Sequence, residues 1–162
     1  MIILTNTTDK IQVKLGSTVT TTQMRCLASY RDTTTTSIVP ARNVLNTNNT
    51  TYVDLVSSPA ASTQRIVDYI SIYNSDSGNE TVTISFNDNG TLYELFVTTL
   101  APCEKIEYQE GLGFKVMSNS GSLKTSLNQG NNPASSTLNA VILGTDVINN
   151  NAVANSIQDI TG

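Results

Sequence analysis

Between Ser62 and Phe114 apolar residues recur at every second position, and clusters of Asn, Asp, Ser and Gly interrupt them. The first run ends at Asn74-Ser75-Asp76-Ser77-Gly78. The second passes through Val82, Ile84 and Phe86 and ends at Asn87-Asp88-Asn89-Gly90. The third carries Leu92, Tyr93, Leu95, Phe96, Val97 and Leu100. β-branched and aromatic residues at period two, broken by Asx-Gly turns, leave a chain few choices besides consecutive β-hairpins. The pattern predicts a three-strand meander at the centre of the fold. Its first strand places Ile66, Ile70 and Ile72 on one face and Val67, Tyr69 and Tyr73 on the other, as expected of a central strand covered on both sides. Asp68 falls on the isoleucine face and is expected at the rim, paired with Arg65 or Arg25.

The flanking segments repeat this texture. Ile2–Leu4 reads as a short edge strand. Ile11, Val13 and Leu15 alternate with Gln12 and Lys14, a half-buried strand. From Val19 to Arg31, Met24, Cys26, Ala28 and Tyr30 share a face, and Leu27 on the other face implies partial cover there. Pro40 is expected to end the extended stretch around Ile38-Val39, because it donates nothing to a ladder. Ala41–Asn49 is ambiguous, with a single turn at Arg42–Leu45 as one reading. Further strands are read at Tyr52–Val56, at Ile106 and Tyr108, and at Phe114–Met117. Short strands at roughly ten-residue spacing predict an all-β chain, an antiparallel β-sandwich of jelly-roll-like or Ig-like kind with about eight to nine strands. The domain reading is a sandwich over 1–127, a linker over 128–136 rich in Asn, Gly, Ser and Pro, and a C-terminal segment over 137–162. That last segment carries Leu138–Gly144 and is too small to bury its own apolar face.

Composition narrows the function classes. Only 14% of the residues are charged, against about 25% in typical soluble domains. Thr, Asn and Ser make up more than a third of the chain and take over the solubilising role. Net charge is −4 with no basic run, which argues against nucleic-acid binding. The chain has no His, so the commonest metal ligand and the commonest neutral-pH general base are missing. The N-terminus lacks the features of a secretory signal, and no window reaches the ~20 apolar residues a membrane span needs. The expectation is a protein made, and soluble, in a cytoplasm, with no membrane partner. The two cysteines, Cys26 and Cys103, read as small buried hydrophobes, with a disulfide between neighbouring strands as the alternative.

Motifs with chemical content are weak. Asn87-Asp88-Asn89-Gly90 has the start of an acidic calcium loop but lacks the later ligands, so it reads as a hairpin turn. Gln109-Glu110-Gly111-Leu112-Gly113 precedes a strand rather than a helix, so it is a turn and not a phosphate cradle. Asp68, Asp88, Glu94, Glu104, Glu107 and Glu110 contain candidates for a glycosidase-like carboxylate pair, but exposed strand carboxylates are the expected reading. Asn-x-Thr triplets at Asn6, Asn48, Asn49, Asn79 and Asn89 are expected by chance in such a composition. No catalytic, cofactor-binding or metal-binding residue is assigned, no cofactor is expected, and the chain is expected not to be an enzyme. A polar surface with few charges is cheap to desolvate and suits static protein–protein contact.

The stretch Thr63–Asn74, together with Val82–Thr91 and Leu100–Phe114, resembles a family of tailed-bacteriophage virion structural proteins. Gln23–Asp32 fits the same group, and Val141–Ala152 is similar to the start of a second module found in phage fibres and spikes. Gly is expected in the family where this chain has Cys103. The resemblance covers most of the chain. It implies a structural role on the virion as a capsid decoration, head-fibre or fibre-anchor protein. Its partners would be copies of itself, as a homotrimer, and the major capsid protein or another virion protein. In such fibres and spikes that second module usually runs longer than the stretch from Val141 to Gly162. The alternative is a tail-fibre or adaptor protein in contact with host glycans through loops such as Asp32–Ser37 or Asn46–Thr51.

Overall fold

The computed structural model describes residues 1–124. The linker and C-terminal segment expected over 128–162, including Leu138–Gly144, lie outside the described residues. These residues form ten strands: β1 (Ile2–Leu4), β2 (Lys10–Leu15), β3 (Arg25–Thr33), β4 (Ile38–Asn46), β5 (Val53–Val56), β6 (Gln64–Tyr73), β7 (Glu80–Asp88), β8 (Thr91–Leu100), β9 (Lys105–Gln109) and β10 (Gly113–Met117). Two antiparallel sheets result. One has the order β10-β9-β6-β3-β4, and the other β5-β2-β7-β8. β1 and β9 lie end to end along the same edge of β6, β1 on Arg65–Val67 and β9 on Tyr69–Tyr73. The all-β sandwich expected from the alternation is the observed architecture.

The core lies between the sheets. Ile11, Val13, Leu15, Val82, Ile84 and Leu100 face it from one side, and Cys26, Ala28, Val67, Ile70, Ile72 and Ile106 from the other. Each fully buried aliphatic side chain contributes roughly 1.5–3 kcal/mol relative to exposure. Phe114 of β10 closes one side of the sandwich. It stacks on Phe96 of β8 at 5.0 Å and meets Tyr108 at 4.9 Å between ring centroids.

The central meander is corrected. β7 and β8 do form a hairpin, turned at Asn89 (φ 48°) and Gly90 (φ 97°), with Gly90 N–H donating to Asn87 Oδ1 at 2.7 Å. β6 and β7, however, belong to different sheets, so Asn74–Asn79 is an arch between sheets and not a hairpin turn. Buried Asp76 explains why. Its carboxylate accepts the backbone N–H groups of Thr20, Thr21 and Thr22 at 2.9, 2.6 and 3.0 Å, and the Thr21 hydroxyl at 2.8 Å. This ties the β6–β7 arch to the β2–β3 crossing. Gly78 leaves room at the same place, since a Cβ there would crowd Thr20 Oγ1 at 3.0 Å and Asp76 Oδ2 at 3.3 Å.

Three further differences have local causes. β4 runs through Pro40 and through Arg42–Leu45, because it is an edge strand and an edge tolerates a residue without N–H. The β3–β6 register shifts between Ser29 and Tyr30, which makes Asp68 the extra residue of a β-bulge. Val67 and Ile70 therefore both point inward, while Ile66 is only half-buried. Leu27 lies on an outer face beside Val44, and both are exposed, so the expected cover is missing among the described residues.

Burial alone would raise the Asp76 carboxyl. The amides of Thr20, Thr22 and Thr21 and the Thr21 hydroxyl override it and hold the group well below the usual carboxylate range. A depressed folded-state value gives stabilisation that is fully present above the ordinary value, about pH 4, and is lost as pH falls toward the folded one. Asp76→Asn is expected to lower the melting temperature at neutral pH far more than Asp88→Asn on the exposed turn, and to flatten the acid limb of the stability profile. Thermal unfolding across pH checks both.

Candidate interaction surfaces

The register divides the sandwich into two poles. Arg25 pairs with Tyr73 and Asn46, Leu15 with Val82, and Glu80 with Leu100. The crossings β2–β3, β4–β5, β6–β7 and β8–β9 therefore share one pole. The buried polar side chains there bond to one another and to nearby backbone. Fully buried Asn74 donates its amide to Gly78 O and Leu100 O and accepts Asp76 N–H. Gln23 Oε1 accepts from Thr47 Oγ1 and Asn49 N–H, and Gln23 Nε2 donates to Asn49 Oδ1 at 2.6 Å. Asn46–Thr51, expected as a possible glycan-contacting loop, sits at this pole with Thr47 and Asn49 committed to these bonds.

The candidate carboxylates are also committed, with two exceptions. Glu104 accepts Ala101 N–H and Lys124 Nζ, each at 2.8 Å. Glu107 takes Lys105, Lys115 and the Tyr69 hydroxyl, and the Lys105 contact does most to hold its carboxyl below the usual range. Asp68 pairs with Arg31 and not, as expected, with Arg65 or Arg25. The other arm of Arg31 reaches Glu110 at 2.8 Å. Burial pushes the Asp68 carboxyl up, and Glu110 adds to the rise against the pull of Arg31. Asp68 and Glu110 thus share one partner, the Arg31 guanidinium. Asp88 and Glu94 make no ion pair among the described residues. Neither does any group of three or more Cys, Asp or Glu side chains there have the placement of a metal site.

Both cysteines are free, so the disulfide alternative does not hold. Cys26 is buried, and burial pushes its thiol up to about 12. Cys103, expected to be buried, is exposed in the β8–β9 crossing with φ 65°, a conformation that suits Gly.

The opposite pole is different. Arg65, only 8% exposed, spans Asp32 with two bonds of 2.7 and 2.8 Å, donates to Ser57 O and Ser57 Oγ, and lies 4.2 Å over the Tyr30 ring. At the same pole a cleft of about 480 Å³ is lined by Thr5, by Thr33, Thr34 and Thr35, and by Ser62, Thr63 and Gln64. The sequence pointed to Asp32–Ser37 as an exposed polar loop. It gave no sign of Thr5 or Ser62–Gln64, which only the sheet crossings bring to the same place.

The strand edges form the remaining surface. β5 and β10 are short, and β4 is blunted by Pro40 and Arg42. β8 ends its sheet with ten residues, one charge at Glu94 and one bulge, and exposes Leu92, Tyr93, Leu95 and Val97. Compared with family profiles, with curated proteins and with solved structures, the chain matches none.

Two substitutions test these local assignments by thermal or denaturant unfolding. Arg65→Met strands Asp32 and is expected to cost about 2–3 kcal/mol. Cys103→Gly relieves a left-handed backbone and is expected to gain about 1 kcal/mol.

Proposed function

We propose that the protein is a structural component of a bacteriophage virion, held on the capsid exterior as a decoration or head-fibre protein and acting by protein–protein contact. The resemblance of Thr63–Asn74, Val82–Thr91 and Leu100–Phe114 to phage virion proteins motivates the reading. The observation that carries it is the β8 edge. Its ten residues pair with β7 on one side and with no strand of the described residues on the other, and they carry three aliphatic side chains, Leu92, Leu95 and Val97, exposed by 42%, 37% and 47%. A folded chain normally blocks such an edge, and an unblocked one is a template for another strand or an apolar partner. Burying what remains exposed is worth roughly 1 kcal/mol per side chain, besides the backbone bonds gained. The same pattern supports a surface-fitting role over a catalytic one, because most of the chemically capable groups are already bonded to one another. The partners in this reading are the major capsid protein or another virion protein, together with further copies of the chain in a homotrimer.

Mass spectrometry of purified virions tests the location, and absence of the protein from the particle ends the proposal. The edge is tested by Val97→Lys. An exposed substitution of this kind is expected to change stability by no more than about 0.5 kcal/mol, while particle-bound protein falls sharply against a wild-type control. Wild-type occupancy by the variant would remove β8 from the docking surface.

A further inference from the structure

We propose that the outer face of the β10-β9-β6-β3-β4 sheet docks an extended acidic segment of a different protein. In that segment two carboxylates stand four residues apart around an aliphatic side chain. The face is built by register. Arg25 shares a row with Tyr73 and Asn46, Leu27 shares the next with Val44, and Arg42 stands in a third beside Ser29. Cys26 and Ala28, between them on β3, point into the core. Leu27 and Val44 are exposed by 36% and 65%, so an apolar pair lies between two arginines.

Charge is divided unevenly over the molecule. The net charge is −4, yet five of the nine Lys and Arg residues, Arg25, Arg31, Arg42, Lys105 and Lys115, lie on this face. The sequence has no basic run, and the sheet collects these cations from four separate strands. Three carboxylates accompany them. Glu107 is held by Lys105 and Lys115, and Asp68 and Glu110 by Arg31. Arg25 and Arg42 are exposed and have no ion pair or side-chain hydrogen bond among the described residues. The apolar pair is therefore flanked by two unneutralised guanidinium groups on an otherwise acidic molecule. Such a patch attracts and orients an acidic partner.

The register also sets the spacing. The Arg25 row and the Arg42 row are four residues of β3 apart, roughly 13 Å by the rise of an antiparallel strand. Side chains of an extended segment return to one face at every second residue. Carboxylates at its first and fifth positions then meet the two arginines, and an aliphatic side chain at the third covers Leu27 and Val44. Residues four apart on a helix rise only about 6 Å, too little for the span. A polyanion without apolar groups leaves Leu27 and Val44 uncovered. A second copy of this chain does not supply the segment. None of its 13 Asp and Glu residues is followed four positions later by another acid with an aliphatic residue midway. The face belongs to the sheet that lacks β8, so the inference does not depend on where that edge is attached.

The test is amide chemical-shift mapping of the full chain titrated with the capped peptide TETLTET. The comparison probes are TKTLTKT, the spacing isomer TEETLTT and a thymidine oligonucleotide of the same length. The expected result is saturable shifts at Arg25–Ser29 and Arg42–Asn46 with TETLTET, weakened when salt is raised from about 0.05 M to about 0.5 M. Arg25→Gln and Arg42→Gln, whose side chains support no internal bond, should keep the wild-type melting temperature. Each should weaken binding about threefold, as fits the loss of one exposed ion pair. Four results would overturn the proposal. They are no saturable shifts at these amides, an equal or stronger response to any comparison probe, wild-type affinity in both variants, or self-association in sedimentation that either variant abolishes. The last would give the face to a second copy.

Discussion

The sandwich depends on one carboxylate. Asp76 binds three consecutive backbone amides of a loop more than fifty positions earlier in the chain, and in doing so fixes two crossings between sheets at once. A carboxylate with several backbone donors is among the stronger polar arrangements available to a protein. Here it substitutes for the compact hairpin that the neighbouring residues would otherwise form. Asn74 extends the tie to the β8–β9 crossing through Leu100 O, and its own backbone exchanges bonds with Glu104 and Cys103. Four sheet crossings thus converge on one pole.

That concentration of bonding leaves two places where the molecule is incomplete. One is the β8 edge, apolar and without a further strand among the described residues. The other is the cleft at the far pole, polar and unbonded. They differ in chemistry and lie on different elements. The carboxylates that suggested catalysis belong to neither. Glu104, Glu107, Glu110 and Asp68 are tied to lysines, to Arg31 or to backbone.

What was legible in the sequence was what local chemistry decides. The Asn-Gly turn between β7 and β8 could be read because positive φ at both positions demands such residues. β2 could be read because its alternation is strict. Asn74–Gly78 reads as a hairpin turn and is an arch, since the same residues serve either and the choice rests with Thr20–Thr22, remote in sequence. Pro40 suggested a strand end because its edge position was not visible, and an edge removes the penalty. The bulge at Asp68 was hidden because one inserted residue shifts the period without changing composition. The cleft was half legible: Thr33–Thr35 announced a polar loop, but its other walls come from segments about thirty positions to either side.

The account holds that the chain works by lending its β8 edge to another protein. Hydrogen–deuterium exchange of the particle-bound and free protein addresses this directly. The account predicts that the outward-facing amides of Thr91–Leu100 exchange freely in isolation and become protected on the particle, while those of β2 stay unchanged. Equal exchange of the β8 amides in both states would contradict it.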